Sequence, residues 1–440
     1  MVSRKTVKVI TMGCSKNLVD SEHLMFQLAS SGYEVVTDPV ISSASILIIN
    51  TCGFIGDAKE ESIEMILRSV HAKQEGKVEQ VVVMGCLSER YKKDLEKEIP
   101  EVDAYFGVTD IQDLLQWMGG KFDGEQACQR IQTTPSHYAY LKIAEGCDRS
   151  CAFCAIPGIR GPYRSELPEK LLAEASLLAS HGVKELLLIA QDLTYYGKDL
   201  ENRAMLPGLV ESLSKIDGIH WIRLHYAYPT GFPFELLRVM RENPKVCEYL
   251  DIPFQHINSG ILKSMRRNID RERTLDLIKQ IREEVPGIKL RTTLLTGFPG
   301  ETNGEVDELI EFVREVRFER LGVFAYSPEE NTYAGDYYED VIPEEEKQHR
   351  VELIMSVQEE ISLENNVSLI GKTLETLIDR EDAGLYYGRT RFDSPEVDNE
   401  VLIRKIPGIR LSPGHFYPIK ITGASEFELE GIWKKSIFST

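Results

Sequence analysis

The sequence contains no uninterrupted apolar run of the roughly 18–20 residues that a membrane-spanning helix needs. Its beginning also lacks the apolar core and small-residue cleavage site of a secretory signal peptide. Basic residues are scarce relative to acidic ones, 51 against 70, and the formal net charge is −19. Affinity for phosphate backbones comes largely from Lys and Arg, so nucleic acid is not expected to be the primary partner. We predict a cytoplasmic protein without a membrane contact. Its acidity fits a basic protein partner, although acidity for solubility alone is an equally good explanation.

The cysteines are few, eight in 440 residues, and in a reducing cytosol they are not expected to form structural disulfides. Six of them fall into two groups with distinct spacing, which in that setting indicates metal or redox chemistry. The other two, Cys128 and Cys247, match no motif and are predicted to be structural.

The first segment, residues 1–130, alternates short apolar runs with amphipathic stretches. Such runs are typical of buried parallel strands, and the stretches between them are typical of helices. The predicted strands are residues 7–12, 46–49 and 81–84, and the predicted helices are residues 19–29, 58–70 and 91–98. This order is typical of a doubly wound α/β domain.

One cysteine follows each of these three predicted strands: Cys14, Cys52 and Cys86. Parallel strands end at the same edge of a sheet, so the three thiols should lie close together at the edge where such sheets bind ligands. Each cysteine has a glycine neighbour, which lets the backbone approach a bulky ligand: Gly13, Gly53 and Gly85. One such cysteine alone would more often be a core residue, but the set of three predicts a metal site.

The second segment, residues 135–328, repeats a strand and a helix six times. The predicted strands are residues 140–144, 185–190, 221–225, 249–253, 289–296 and 321–326. Amphipathic helices separate them, among them residues 168–180 and 271–284. Six such repeats predict an incomplete parallel (β/α)6 barrel, whose chemistry should lie at the carboxyl ends of its strands.

The first barrel strand is followed by three cysteines on one short loop, Cys147, Cys151 and Cys154, with the spacing C-x3-C-x2-C. Three thiolates on such a loop can bind three irons of a [4Fe–4S] cluster, which usually takes four cysteines. The fourth iron would then be open to a substrate, much as an open position marks a catalytic zinc site. The alternative is a zinc site with Cys151 and Cys154 as one half, but the sequence has no second C-x2-C or H-x3-H half nearby.

This triplet, on the first strand of a six-fold barrel, resembles the radical S-adenosylmethionine (SAM) superfamily. The resemblance implies that the open iron binds the amino and carboxylate groups of SAM, which one electron from the cluster cleaves to methionine and a 5′-deoxyadenosyl radical. It also makes the three cysteines of the loop the catalytic residues. Candidates for further cofactor binding lie at or near the ends of later strands: Gln191, Arg223, Gly297 and Glu301. Each of these four could equally be an ordinary barrel-lining residue.

The third segment opens with an acidic helical connector, residues 329–370. Residues 329–364 include twelve acidic and two basic residues, and residues 343–368 are predicted to form a long helix. The charged face of this helix is either solvated or a docking surface for a basic partner. Residues 371–440 alternate polar and apolar residues with Gly and Pro turns, which predicts a small antiparallel β-barrel resembling an OB fold or TRAM domain. This barrel has ten basic and eleven acidic residues, whereas a barrel that binds nucleic acid is normally basic.

Three dispersed amino-terminal cysteines, a radical triplet and a terminal TRAM-like barrel together resemble the methylthiotransferases over essentially the whole chain. Three motifs resemble the RimO type of that family: Gly-Cys-Ser-Lys-Asn-Leu-Val-Asp-Ser-Glu at 13–22, Asn-Thr-Cys-Gly-Phe-Ile at 50–55, and Glu-Gly-Cys-Asp-Arg at 145–149 with Ile156-Pro157 and Arg160-Gly161. The RimO type adds a methylthio group to the β-carbon of an aspartate in the twelfth small-subunit ribosomal protein. The tRNA-modifying relatives tend to carry other residues around both cysteine groups and a more basic terminal domain.

The resemblance implies a role for each cysteine group. Cys14, Cys52 and Cys86 would bind an auxiliary [4Fe–4S] cluster that holds or donates sulfur, and the other group would bind the cluster that cleaves SAM. Two SAM molecules would be used per product, one to methylate a sulfur and one to supply the radical that takes hydrogen from the aspartate. The implied partners are the basic ribosomal protein, on or near the ribosome, and an electron donor. Two alternatives stay open: a tRNA adenosine methylthiotransferase, and a non-catalytic iron–sulfur scaffold or electron carrier.

Overall fold

The computed structural model describes residues 5–37 and 44–434. Its amino-terminal part contains five strands: β1 Thr6–Thr11, β2 Glu34–Val36, β3 Ala44–Thr51, β4 Val78–Gly85 and β5 Ala104–Tyr105. Four helices accompany them: α1 Ser15–Ser30, α2 Gly56–Gln74, α3 Cys86–Glu98 and α4 Ile111–Trp117. The strands form one parallel sheet in the order β2-β1-β3-β4-β5.

Helices cover this sheet on both faces, because its central strands present apolar side chains to both sides. Side chains of α1 and α4 pack on one face, and side chains of α2 and α3 pack on the other. The doubly wound fold predicted from the sequence is therefore confirmed. The short strands β2 and β5 were not predicted.

The middle part contains eight strands: β6 Tyr138–Lys142, β7 Ala144–Glu145, β8 Arg164–Ser165, β9 Glu185–Ile189, β10 Trp221–Leu224, β11 Val246–Asp251, β12 Lys289–Thr296 and β13 Arg320–Ala325. Its helices are α5 Ile156–Arg160, α6 Pro168–Ser180, α7 Lys198–Glu201, α8 Leu206–Leu213, α9 Glu235–Glu242, α10 Ser259–Ser264, α11 Arg271–Glu284 and α12 Asn303–Val316. Six strands form a parallel sheet in the order β13-β12-β11-β10-β9-β6. Since β13 and β6 are its two edges, the barrel is incomplete, as predicted.

The largest core of the molecule lies between this curved sheet and its outer helices. Local sequence signals fix where several helices begin. Asp270 caps α11 by accepting a hydrogen bond from the amide of Arg273, and α12 begins with a capping box formed by Thr302 and Glu305. The inner face of the sheet packs instead against parts of the other two domains, including Val19 of α1.

The connector contains the short helix α13, Tyr333–Tyr337, and the 24-residue helix α14, Glu344–Val367. Helix α14 packs against α12 and β13. It buries Ile354, Val357 and Ile361 in the barrel core. The long helix was predicted. Its apolar residues complete the core of the parallel barrel.

The carboxyl-terminal part contains five strands: β14 Thr373–Asp382, β15 Leu385–Thr390, β16 Glu400–Arg404, β17 Phe416–Ala424 and β18 Glu428–Trp433. They close into a barrel in the order β14-β15-β16-β18-β17, around a small apolar core. Four of the five pairings are antiparallel, and β16 pairs with β18 in parallel. The predicted small barrel is thus present, with its predicted last residues, 435–440, outside the described ranges.

The closed barrel covers the amino ends of the parallel strands. Its Arg389 pairs with Glu185, the first residue of β9, at 2.8 Å. Its Phe416 ring lies 4.7 Å, centroid to centroid, from Trp221, the first residue of β10. The carboxyl ends of the parallel strands, where chemistry is expected, are therefore at the opposite end. Within the described residues, no helix is both long and apolar enough to cross a bilayer.

Candidate metal centres

The first cysteine group lies at the carboxyl edge of the amino-terminal sheet. Cys14 follows β1 and precedes the first residue of α1, Cys52 follows β3, and Cys86 is the first residue of α3. The strand order changes direction between β1 and β3, and the crevice at such a switch point is where doubly wound sheets bind ligands. The structure therefore brings the three cysteines to one edge, as the sequence predicted.

Glycines allow the three loops to approach one another. A Cβ atom on Gly13, which has φ +83°, would lie 2.8 Å from the Sγ atom of Cys52. A Cβ atom on Gly85, which has φ +100°, would lie 2.4 Å from Oδ1 of Asn50. Real Cβ atoms do not approach that closely, so only glycine fits at either position.

Hydrogen bonds from polar side chains fix the positions of the cysteines. Ser62 of α2 accepts a hydrogen bond from the amide of Cys52 at 3.0 Å and donates one to its carbonyl oxygen at 2.9 Å. Asn17 of α1 donates to the carbonyl oxygens of Met12 at 2.9 Å and Thr51 at 3.0 Å. Its Oδ1 atom lies 3.7 Å from the Sγ atom of Cys86. Asn17 thus joins the ends of β1 and β3 to the third cysteine.

The thiols of this group are partly removed from water. Burial raises the pKa of Cys52 above its usual value and that of Cys86 to about 12, although the Arg160 guanidinium lowers both. Cys14 and Cys86 lie at the amino termini of α1 and α3, and the helix dipole there favours negative charge. The buried thiols are protonated at neutral pH, so binding of a metal would release protons.

The second cysteine group lies on the loop between β7 and α5. The loop folds back on itself: the amide of Arg149 donates to the Sγ atom of Cys147 at 3.4 Å, and the amide of Cys154 donates to the carbonyl oxygen of Cys151 at 3.2 Å. A Cβ atom on Gly146 would lie 2.1 Å from the carbonyl oxygen of Pro162, so the loop can begin only with glycine. Burial raises the pKa of Cys147 to about 11 and that of Cys154 to about 12.

Two arginines and a tyrosine surround Cys151. Its Sγ atom lies 3.7 Å from the hydroxyl of Tyr228 and 3.6 Å from Nη1 of Arg267. The Arg267 guanidinium lies 4.2 Å from the centre of the Tyr228 ring, and that of Arg149 lies 4.1 Å from it. Arg149 also pairs with the buried Asp192 at 2.8 Å. These cations offset the negative charge that a thiolate group would bring into the site.

Both groups have features that suit an iron–sulfur cluster. Within residues 5–37 and 44–434, no three His, Cys, Asp or Glu side chains converge closely enough to hold one metal ion. In a cubane cluster each thiolate binds a different iron, so the thiols are spaced more widely. Backbone amides directed at sulfur, from Arg149 to Cys147 and from Phe54 to Cys52, are the hydrogen bonds that tune such clusters.

Four charged side chains connect the amino-terminal domain to the barrel, and we call them the interdomain ion cluster: Asp20, Lys142, Glu145 and Arg160. Arg160 pairs with Glu145 at 2.8 Å and with Asp20 at 3.2 Å. Lys142 pairs with Glu145 at 2.7 Å and also with Asp20. Asp20, Glu145 and Arg160 lie within the sequence motifs that surround the cysteines, and this proximity is the signal by which the sequence could have identified them.

Of the four residues predicted to bind cofactor, Gln191 lies beside the second cysteine group. Its Nε2 atom donates to Oε1 of Glu145, two residues before Cys147, at 3.0 Å. Its own Oε1 atom is buried and accepts no hydrogen bond from the described protein. Gln191 therefore has a buried acceptor oxygen without a partner among the described residues, close to the second cysteine group.

The structure places Arg223 at the interface between the parallel barrel and the closed barrel. Its fully buried guanidinium pairs with Glu185 at 2.8 Å and donates to the carbonyl oxygen of Arg391 at 2.9 Å. Both partners lie where the closed barrel covers the amino ends of the parallel strands. The alternation of side chains along a strand shows which face of the sheet a residue lies on, but not how far it lies from either end of the barrel. The sequence therefore could not place Arg223 at this interface.

Gly297 and Glu301 have partners in helix α14. A Cβ atom on Gly297 would lie 2.5 Å from the side chain of Lys347. Glu301 accepts hydrogen bonds from Thr296 at 2.6 Å and Arg350 at 3.2 Å, and its side chain is fully buried. These contacts tie the end of β12 to α14 and do not reach the cysteine loop.

Three family profiles match successive parts of the chain. They are the uncharacterized protein family UPF0004 at residues 6–107, the radical SAM superfamily at residues 141–313 and the TRAM domain at residues 370–433. Two solved structures share the fold at low identity. A radical SAM methyltransferase, TsrM, from Kitasatospora setae superposes with a TM-score of 0.54 at 13% identity, covering 88% of this chain and 77% of that one. The cobalamin-dependent radical SAM enzyme OxsB superposes with a TM-score of 0.52 at 12% identity, covering 80% and 56%.

Curated relatives match nearly the whole chain at much higher identity, and each is called ribosomal protein uS12 methylthiotransferase RimO. The protein from Bacteroides fragilis is 54% identical over 430 residues, covering 98% of this chain and 99% of the relative. The protein from Porphyromonas gingivalis is 54% identical over 426 residues, covering 97% and 98%. The protein from Christiangramia forsetii is 52% identical over 430 residues, covering 98% and 94%.

Proposed function

The chain belongs to the RimO family of ribosomal protein uS12 methylthiotransferases, and from this membership we propose that it adds a methylthio group to protein uS12. The resemblance of its motifs assigns the modification to the β-carbon of an aspartate. The observation that carries the proposal is identity above one half along essentially the full chain, which includes both cysteine groups. The chain is thus a radical SAM methylthiotransferase.

We propose that Cys147, Cys151 and Cys154 hold the [4Fe–4S] cluster that binds SAM through its fourth iron, and that the other cysteine group holds an auxiliary [4Fe–4S] cluster. Membership of the radical SAM superfamily supports the first cluster and SAM. The second cluster rests on the position of Cys14, Cys52 and Cys86 at one sheet edge. When loaded, the clusters and SAM supply a carbon radical and the sulfur to be transferred.

The residues around the second cysteine group would bind and orient SAM, and they would exclude water from the site. Tyr228 and Arg267 contact the Sγ atom of Cys151. Arg149 is held in place by its ion pair with Asp192. Exclusion of water protects a reactive radical from side reactions. We propose that the free Oε1 atom of Gln191 accepts a hydrogen bond from SAM, and we keep Gly297 only as a position that leaves room at the end of β12.

The two alternatives from the sequence are not favoured. The relatives at 52–54% identity are called ribosomal protein methylthiotransferases, not tRNA-modifying enzymes. The barrel of residues 371–440 has one acidic residue more than it has basic ones, which is not the charge of a nucleic-acid-binding surface. A non-catalytic scaffold would not need the radical SAM barrel that the chain contains.

The organisation proposed for the whole protein follows the sequence. We propose units at residues 1–130, 135–328, 329–370 and 371–440, which are the auxiliary-cluster domain, the radical SAM barrel, the acidic connector and the TRAM-like barrel. Because the proposed substrate is a ribosomal protein, we propose that the reaction takes place in the cytoplasm, on or near the ribosome. The reaction also requires an electron donor to reduce the cluster that binds SAM.

Anaerobic turnover on two substrates tests the function. The reconstituted enzyme is given SAM, a reductant and either a uS12 peptide that contains the target aspartate or a bulk tRNA, and mass spectrometry follows the gain of a methylthio group. We expect modified peptide and unmodified tRNA. Two variants serve as controls: Cys151→Ala should lose SAM cleavage, and Cys52→Ala should keep cleavage but lose sulfur insertion. Modification of the tRNA alone would transfer the specificity to the rival family.

A further inference from the structure

Helix α5 is the element where the two cysteine groups meet. It begins at Ile156, two residues after Cys154, and ends at Arg160. Cys86 of the first group packs against Ala155 and Ile159 of this segment. The chain that leaves one cysteine group is therefore in contact with the other.

Arg160 reaches from the end of this helix into the first cysteine group. Its Nη2 atom donates to Oδ1 of Asn17 at 2.5 Å, and the same oxygen lies 3.7 Å from the Sγ atom of Cys86. Its Nη1 atom donates to Glu145, two residues before Cys147. One guanidinium thus contacts side chains next to both cysteine groups.

The interdomain ion cluster is almost dry. The side chains of Arg160 and Asp20 are 1% and 8% exposed, and those of Glu145 and Lys142 are 10% and 15% exposed. Two positive and two negative charges balance one another, so removal of one leaves a net charge at a site with weak solvent screening. Removal of any one of the four charges should therefore change the electrostatic potential at the nearby sulfur atoms.

Stability alone is a poor explanation for this arrangement. A buried ion pair costs desolvation that its attraction often does no more than repay, and apolar residues of similar volume would join two domains as well. The Arg160 charge is close enough to act on the cysteines, since a single amide oxygen, Oδ1 of Asn17, lies between its guanidinium and the Sγ atom of Cys86.

We propose that Arg160 is a positioning residue that holds the face of Cys14, Cys52 and Cys86 against the barrel and raises the reduction potential of the cluster bound there. The proposal rests on the auxiliary cluster of the proposed function. Reduction adds a negative charge to a cluster, so a nearby fixed positive charge stabilises the reduced form. Asp20, the acidic partner of Arg160 in the same domain as the auxiliary cysteines, should have the opposite effect.

The test measures the midpoint potential of the auxiliary cluster alone. Variants are made in the full chain with Cys147, Cys151 and Cys154 replaced by alanine, and the cluster is titrated anaerobically under electron paramagnetic resonance. We expect a more negative potential in Arg160→Gln and a less negative one in Asp20→Asn. Arg160→Lys keeps the charge and should stay closer to the unchanged chain than Arg160→Gln does.

Arg223→Gln is the matched control. It also removes a fully buried, ion-paired arginine, but one at the amino ends of the barrel strands. Its auxiliary cluster should keep the potential of the unchanged chain. Shifts of the same sign in Arg160→Gln and Asp20→Asn, or a shift in Arg223→Gln as large as that in Arg160→Gln, would mean that loosened packing is measured, and would overturn the proposal.

The titration needs no turnover, so the two proposals can fail separately. Opposite shifts in the titrated variants, together with no modification of the uS12 peptide by the chain that keeps all its cysteines, would support the role of Arg160 and overturn the proposed function. Modification of the peptide by that chain, together with unshifted potentials in the variants, would support the proposed function and overturn the role of Arg160. If Arg160→Gln fails to bind iron, the proposal is decided by comparing the midpoint potentials of Arg160→Lys and Asp20→Asn. An unshifted potential in Asp20→Asn would then contradict the charge effect.

Discussion

At the scale of single residues, Gly85 shows how a backbone position leaves space for the proposed auxiliary-cluster site. It joins β4 to α3 with φ +100° and ψ −163°, a combination that is essentially restricted to glycine. Because a Cβ atom there would lie 2.4 Å from Asn50 and 2.6 Å from the carbonyl oxygen of Thr51, the Cys86 loop can approach the Cys52 loop only without a side chain.

Gly85→Ala should therefore destabilise the amino-terminal domain and prevent assembly of the auxiliary cluster. Gly76→Ala is the control, because Gly76 also has positive φ but no atom lies within 4 Å of its Cβ position. We expect the control to cost about 1 kcal/mol from backbone conformation alone and to retain the full iron content. Iron analysis after reconstitution, with thermal unfolding, compares the two. Full iron content in Gly85→Ala would contradict the geometric role of Gly85.

The residue scale also shows what the sequence could predict. The three cysteines were identified because each follows a strand, and the position of strand ends is a local signal. Arg160 was not recognised, because its partner Asn17 lies 143 positions away along the chain. The contact of Arg223 with the closed barrel was not predicted for a similar reason, since it is a tertiary feature.

At the scale of elements, helix α14 is joined to the barrel by a buried ion pair. Arg350 of this helix contacts Glu301, which follows β12, at 3.2 Å, and the two side chains are 7% and 0% exposed. A second pair on the same helix, Glu364 with Arg317, is largely exposed. The same helix thus offers a buried and an exposed ion pair for comparison.

Arg350→Ala should destabilise the protein by about 3–5 kcal/mol, because it leaves the Glu301 carboxylate buried with fewer partners. Arg317→Ala should cost about 0–1 kcal/mol, since an exposed pair is screened by water and salt. Denaturant unfolding followed by circular dichroism compares the two variants with the unchanged chain. Equal losses in the two variants would show that burial of the pair is not decisive.

Prediction of elements succeeded where strands were long and apolar. Strands β3, β4 and β12 each have eight residues and were predicted from their apolar runs. Strands β2 and β5 have three and two residues and lie at the sheet edges, where no apolar run marks them. The apolar stripe of α14 predicted the helix correctly. Such a stripe does not show which part of the protein the helix packs against.

At the scale of the whole molecule, buried carboxylates join the parallel barrel to the closed barrel. Burial alone would raise the pKa of Glu185, but Arg389 and Arg223 outweigh it and hold that pKa below its usual value. Asp379, which pairs with Arg389 and His137, also has a lowered pKa. Carboxyl groups with lowered pKa stabilise the folded state above their ordinary pKa, and this stabilisation is lost as the pH falls through the lowered one.

We therefore expect thermal stability to fall below about pH 5, as these carboxylates become protonated. Glu185→Gln should melt at a lower temperature than the unchanged chain at pH 7, and the difference should shrink as the pH approaches the lowered pKa. Glu211→Gln, which removes a carboxylate from an exposed pair with Arg238, should melt like the unchanged chain throughout. Melting curves between pH 7 and 3.5 test this. A difference in melting temperature between Glu185→Gln and the unchanged chain that stays constant across that range would contradict the stabilising role of the Glu185 carboxylate at the interface.

The position of the closed barrel has an evolutionary consequence. Its strands meet the amino ends of the parallel strands, while both cysteine groups lie at carboxyl ends. The segment that follows β15 extends along the inner face, where Ser394 lies 3.0 Å from His225 and Asp398 accepts a hydrogen bond from Tyr249 at 2.6 Å. We therefore expect substitutions on the outer surface of this domain to be tolerated independently, whereas a substitution in the inserted segment should require a compensating change in the barrel that it touches.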